Sequence, residues 1–199
     1  MSAGEAANAL VLIGASTGGP LAVRELLSAL PRDFPAPIVV VQHIPKSFTA
    51  VLAAQLDRNC QLRVREAEEG DRLTPGLVLV APGGYHLLLR PGFRVSRCPG
   101  NTNDLHCPSI DVAMESAARI YGSRLMGVLL TGMGEDGAEG LSMIRDIGGV
   151  TFAQDAESCV VDGMPRRARE RDAVDHVGPP RAIAQMLVRE LERRRTHAA

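Results

Sequence analysis

Three short segments of the chain place a reactive side chain directly after an apolar run. The first is Gly14-Ala15-Ser16-Thr17-Gly18-Gly19-Pro20. It has the composition of a strand-to-helix turn, with Pro20 where a first helical turn tolerates proline. Ser16 would stand at a helix amino terminus, whose free N–H groups favour developing negative charge. The second is Gln42-His43-Ile44-Pro45; imidazole is suited to proton transfer near neutral pH, and Pro45 keeps the residue before it out of helical geometry. The third is Thr131-Gly132-Met133-Gly134-Glu135-Asp136-Gly137. Glycines flanking Met133 let backbone amides turn toward a ligand, and Asp136 stands near the start of the next helix. Serine, histidine and aspartate can supply nucleophile, base and orienting carboxylate for acyl transfer. Two of them also have plainer readings, His43 as a hydrogen-bonded loop residue and Asp136 as a helix N-cap. The chemical reading gains from all three standing at carboxyl strand ends, the rim where open α/β sheets place their sites.

The first segment overlaps two familiar patterns. A dinucleotide fingerprint would need glycines at positions 14, 16 and 19, but Ser16 fills the one where backbone must approach a pyrophosphate. The end of the second strand offers Gln42-His43 where an acidic residue would bind ribose. A nucleotide-binding module is thus the weaker alternative. The literal Gly-x-Ser-x-Gly match suggests a nucleophile elbow, yet only one strand precedes it, whereas an α/β-hydrolase elbow follows several. The chain order Ser, His, Asp also differs from the hydrolase, chymotrypsin and subtilisin orders.

Elements able to position these residues follow from the pattern. Apolar runs at 10–13, 38–42, 125–131 and 150–154 alternate with helix-like segments at 21–30, 48–58, 138–147 and 183–194. That alternation predicts a three-layer, doubly wound α/β fold with a mostly parallel sheet and helices on both faces. Residues 62–67, 77–81, 86–90 and 93–97 read as strands, the last two forming an antiparallel hairpin around Pro91-Gly92. Residues 98–108 carry loop chemistry throughout, and a loop this long in a compact domain is commonly functional. Ser109 then reads as the N-cap of a helix through Tyr121, closed by Gly122.

Composition narrows the partners. The 199 residues carry 22 basic and 23 acidic side chains and only six aromatics, too even a balance for a nucleic-acid footprint and too few stacking platforms. The length fits one domain over residues 1–199 with its core at about 9–190. No apolar run approaches the roughly 20 residues that span a bilayer, and the amino terminus lacks a signal-peptide pattern, so a cytoplasmic location is expected. Cys60, Cys98, Cys107 and Cys159 show no Cys-x-x-Cys pair, and no His, Cys or acid spacing suggests ligands. Neither a metal nor another cofactor is expected.

The motifs 13–20, 42–45, Ala-Pro-Gly-Gly (81–84), His-Cys-Pro-Ser-Ile-Asp (106–111), Leu-Leu-Thr-Gly-Met-Gly-Glu-Asp-Gly-Ala (129–138), Ala-Gln-Asp (153–155) and Gly-Met-Pro (163–165) are collinear from about residue 10 to 188. In that order they resemble the catalytic domain of the chemotaxis protein-glutamate methylesterases. The resemblance implies hydrolysis of glutamyl methyl esters, and deamidation of certain glutamines, on the cytoplasmic helices of methyl-accepting chemoreceptors. It implies Ser16 as nucleophile, His43 as general base, Asp136 as its orienting acid and the Met133 N–H in an oxyanion hole, with Thr17 and His106 beside the site. Two departures stand out. Most family members resemble a receiver domain fused ahead of this one, whereas no more than nine residues here precede the first strand; control by a response-regulator protein in trans is then an expectation. Asp162 also stands where the family tends to carry an apolar or aromatic residue, which bears on local packing. A non-catalytic signalling or scaffold protein of the same fold is the other alternative.

Overall fold

A computed structural model describes residues 9–197. In chain order the elements are β1 (Leu10–Ala15), α1 (Gly19–Ser28), β2 (Ile38–Gln42), α2 (Lys46–Asn59), β3 (Arg63–Glu66), β4 (Leu77–Val80), β5 (Tyr85–Arg90), β6 (Arg94–Pro99), α3 (Ile110–Tyr121), a 3-10 turn (Gly122–Arg124), β7 (Leu125–Leu129), α4 (Ala138–Asp146), β8 (Val150–Gln154), α5 (Met164–Glu170), β9 (His176–Gly178) and α6 (Pro180–His197). Seven strands form one sheet in the order β3-β4-β2-β1-β7-β8-β9, and every neighbouring pair is parallel. The doubly wound fold read from the sequence is therefore present, and β5 and β6 form the separate antiparallel hairpin.

Successive residues of a strand face opposite sides of a sheet, and β1 shows the consequence. Val11 and Ile13 join one core layer with Leu26 and Leu27 of α1, Leu52 and Leu56 of α2, and Leu187 of α6. Leu10 and Leu12 join the other, with Ile110 and Met114 of α3, Leu141 of α4, Met164 of α5 and Leu87 of the hairpin. All six β1 residues are buried, as are all of β2 and β7. Both faces of the central strands are thus covered, which is why they read as continuous apolar runs. Strand order reverses between β1 and β7, and β1 runs directly into Ser16. This is the switch point at which open α/β sheets form a crevice.

The structure corrects or extends the sequence reading at three points. The hairpin's second strand begins at Arg94 rather than residue 93, because Phe93 adopts a left-handed backbone (φ 56°) in the turn. The segment between β8 and α6 contains α5 and β9, the latter beginning at His176. Asp136 is not the N-cap of its own helix: that position falls to Gly137 at φ 93°, and Asp136 is freed for other work. No helix among the described residues is long and apolar enough to cross a membrane. Residues 1–8, on which the signal-peptide reading rests, lie outside the described residues.

Candidate active site

Backbone register brings Ser16 and His43 together. Gly14 pairs with Val41 and Ala15 with Gln42 across β1 and β2, so the next residues leave the rim side by side. The His43 N–H donates to the Ala15 carbonyl at 2.9 Å, extending the ladder by one bond. The Ser16 N–H donates to the Thr131 carbonyl (3.0 Å). Its carbonyl accepts from the Gly19 N–H and the buried Gln42 amide, each at 2.8 Å. The Gln42 amide also donates to the His43 carbonyl at 3.0 Å. Both main chains are therefore held, while the Ser16 hydroxyl makes no hydrogen bond among the described residues.

Asp136 arrives from the other side of the switch point. Its Oδ2 lies 2.7 Å from His43 Nε2, with only 10% of the histidine side chain and 9% of the aspartate side chain exposed. The Ile110 N–H donates to the same oxygen at 2.7 Å, while the Asp111 N–H and the Ser109 hydroxyl donate to Oδ1 at 3.0 Å each. Ile110 and Asp111 are the first residues of α3. Asp136 is thus an N-terminal anion for α3, a helix remote from it in sequence, where unpaired N–H groups and the helix dipole favour negative charge. Burial opposes its ionisation, but the His43 hydrogen bond and the two amides outweigh burial and hold the carboxyl well below the usual carboxylate range.

An ionised Asp136 fixes the proton on His43 Nε2 and leaves Nδ1 as the basic nitrogen. That Nδ1 is buried and has no hydrogen-bond partner among the described residues. The ring is used in the opposite sense to the familiar serine-protease arrangement, in which Nδ1 faces the aspartate. His106 stacks on His43 with ring centroids 4.1 Å apart and planes 11° from parallel. Burial, then the neighbouring His43, lowers the His106 pKa. A neutral ring therefore covers one face of His43.

The loop after β7 closes the third side. A Cβ on Gly132 would lie 2.2 Å from Met164 Sδ and 2.7 Å from Ser16 Cβ, so only glycine lets this backbone pass the serine. Gly132 N donates to the Val161 carbonyl (2.9 Å), and its own carbonyl accepts from Gly163 and Met164 (3.0 and 2.9 Å). The N–H groups of Thr17 and Met133 have no backbone acceptor among the described residues, while the Met133 side chain is 73% exposed. Asp162, the departure noted in the sequence, forms a bridge with Gly132 and binds the Arg169 guanidinium at 2.6 Å. Arg169 also donates to the Gln154 carbonyl, and the Gln154 side chain accepts from the Thr131 N–H. The charge at 162 is therefore neutralised by α5 and tied into the loop that holds Gly132.

The six residues that the sequence singled out, Ser16, His43, Asp136, Thr17, Met133 and His106, all lie on the loops of one rim. Sequence reasoning gave no role to Asp111, which stands as the last residue of the 106–111 motif, two residues after the Ser109 cap. Asp111 Oδ1 accepts from the Gly140 N–H at 2.7 Å. It also overlooked the cluster of His86, Asp104 and Cys107, whose candidate ligand atoms lie within 4.8 Å of one another. His86 Nδ1 there accepts from the Ser109 N–H (3.2 Å), which puts the proton on Nε2, 2.9 Å from Asp104 Oδ2. With both ring nitrogens so engaged, the group braces the 98–108 loop and leaves no imidazole lone pair for an ion. The four cysteines are all free.

Fold and rim together define an open α/β protein with a serine, a histidine and an aspartate converging at the switch point of a doubly wound sheet. The family model described as CheB methylesterase matches residues 11–187, and the chain belongs to that family. It is 44% identical over 192 residues to an Archaeoglobus fulgidus protein-glutamate methylesterase/protein-glutamine glutaminase, covering 95% of this chain and 55% of that protein. An Anaeromyxobacter dehalogenans protein of that designation, numbered 2, is 54% identical over 185 residues, covering 92% and 53%. The chain spans about half the length of these curated relatives. The crystal structure of the Thermotoga maritima CheB methylesterase catalytic domain superposes with a TM-score of 0.87 at 41% identity, covering 91% of this chain and 97% of that one.

Proposed function

We propose that this chain is a serine hydrolase acting on γ-glutamyl methyl esters in the cytoplasmic helices of chemoreceptors, with Ser16 as nucleophile, His43 as base and Asp136 as orienting acid. The observation that carries this reading is the His43 ring: Nε2 is bound to an ionised, four-times hydrogen-bonded Asp136, while Nδ1 is buried and unpaired on a residue whose strand end pairs with the one that leads into Ser16. His43 takes the Ser16 proton through Nδ1 as the oxygen attacks the ester carbonyl. The unengaged N–H groups of Thr17 and Met133 are the donors available to the resulting oxyanion. Methanol leaves with the proton from His43. Water, activated in the same way, then cleaves the glutamyl–Ser16 ester and leaves an unesterified glutamate side chain on the helix. A glutamine substrate follows the same path with ammonia as the leaving group, consistent with the glutaminase designation of the relatives.

The rim suits a side chain presented by a folded helix. Leu105, Met133 and Val160 are 96%, 73% and 63% exposed, on the loops that carry His106, border Gly132 and pack over Gly18. A helix laid across the rim would cover these apolar side chains as its esterified glutamate reaches Ser16. Chemoreceptor cytoplasmic helices place the reaction in the cytoplasm, and a separate response regulator is a candidate controlling partner.

A fluorophosphonate, which phosphonylates activated serines, tests the assignment. The expected adduct maps to Ser16 in the unmodified chain and is absent from Ser16→Ala and strongly slowed in His43→Ala. An adduct on another residue, or equal labelling of all three proteins, would refute it.

A further inference from the structure

Asp111 is a half-buried carboxyl with no place in the acyl-transfer steps, although the sequence puts it at the end of the 106–111 motif. It lies in the first turn of α3, where its N–H donates to Asp136 Oδ1 (3.0 Å). Its own Oδ1 accepts from the Gly140 N–H at 2.7 Å. Gly140 belongs to the first turn of α4, whose N-cap is Gly137, a residue without a side chain to cap with. The two helices therefore exchange caps: Asp136, just ahead of α4, takes the leading amides of α3, and Asp111 of α3 takes an amide of α4. An unpaired first-turn amide in this buried setting would be costly. The fit leaves no slack, because a Cβ on Gly140 would lie 2.7 Å from Met114 Cβ and Sδ, and 3.1 Å from Asp111 Oδ1.

We infer that Asp111 is a positioning residue for the catalytic acid: by capping α4 from α3 it fixes the Gly137 turn, and so holds Asp136 against His43. This inference rests on the triad reading above. The electrostatics agree with a carboxyl placed for its acceptor geometry rather than its charge. Burial raises the Asp111 pKa to about 6, and the Asp136 carboxylate beside it pushes the same way. Asp136 is the charged group acting on Asp111, and His43 lies beyond it.

Geometry and charge separate in two substitutions. Asp111→Asn keeps an acceptor oxygen at the same reach and discards the charge; Asp111→Glu keeps the charge and displaces the oxygen by a methylene. With a methyl-esterified chemoreceptor cytoplasmic fragment as substrate, kcat of Asp111→Asn is expected within about threefold of the unmodified chain. Asp111→Glu and Asp111→Ala should lose tenfold or more in kcat, with KM held within twofold. The Gly140 amide, followed by hydrogen exchange, should stay protected in Asp111→Asn and exchange at least tenfold faster in the other two. An Asp111→Ala protein with undiminished kcat, or Asp111→Glu outperforming Asp111→Asn, would overturn the inference. If Asp111→Ala does not fold, the order of the Asn and Glu variants still decides it. Ser16→Ala in the same assay keeps the two readings apart: turnover surviving there refutes the triad, whereas Gly140 protection reports on Asp111 without reference to turnover.

Discussion

The two sides of the rim are built by different means. Ser16 and His43 sit at the ends of adjacent parallel strands, and the ladder that pairs Ala15 with Gln42 sets their separation. Asp136 has no strand beside His43. It is placed by side-chain-to-backbone bonds between α3 and α4, elements joined to the sheet through packing at Ile110, Met114 and Leu141. A sheet register survives the loss of any one side chain, whereas an exchanged pair of caps depends on each. The lesson is that the nucleophile and base are set by backbone, and the acid by a few named side-chain oxygens.

The largest effect expected from breaking the capped side is that of Asp136→Asn. An amide there can stabilise the wrong imidazole tautomer and cannot offset the imidazolium charge, so kcat should fall roughly 10²–10⁴-fold. Steady-state rates with KM near the unmodified value would show that the loss is chemical. An unchanged rate would reduce Asp136 to a helix cap.

A matched pair sharpens the contrast. Ser109→Ala removes a hydroxyl that donates to Asp136 and also accepts from the Val112 N–H as the cap of α3. It should cost about 1 kcal/mol or more of stability and several-fold in kcat. Gln42→Ala on the sheet side deletes two hydrogen bonds to the carbonyls of Ser16 and His43. The β1–β2 ladder remains, so kcat should change less than in Ser109→Ala. Denaturant melts and rates on both proteins check this, and the reverse order would break the comparison.

The smallest effect is one of pH. Asp111 has its pKa raised to about 6 in the folded state, so the stability it contributes is full below its unfolded value near 4 and is lost as pH rises through 6. Asp111→Asn removes that dependence. Its melting temperature relative to the unmodified chain should therefore be higher at pH 8 than at pH 4.5. A difference independent of pH would contradict the raised pKa.

How much of this was legible in the sequence follows the same division. Ser16 and His43 could be read because the runs ending at Ile13 and Val41 are apolar throughout and are followed within a few residues by glycine or proline punctuation. Adjacency of the first two strands is the common outcome of a βαβ unit. Asp136 was visible as an acid for His43, but its partners on α3 were not, because nothing local shows that residues 109–111 lie across from it. The N-cap reading failed for that reason: Gly137 could take the left-handed position, and Asp136 was drawn to a different helix. Asp111 stood in the 106–111 motif without a role, because a first-turn aspartate looks like ordinary helix-dipole complement until Gly140 appears opposite it. Asp162 looked like a packing defect, and Arg169, seven residues further on, answers it.

The central claim is that Ser16 carries the acyl group, and methanol release from a methyl-esterified chemoreceptor preparation tests it most directly. The unmodified chain should release methanol in step with the loss of glutamyl methyl ester from the receptor. Ser16→Ala, matched for folding by its thermal melt, should be slower by about 10³-fold or more. Methanol released by the Ser16→Ala protein at a rate near that of the unmodified chain would contradict the account.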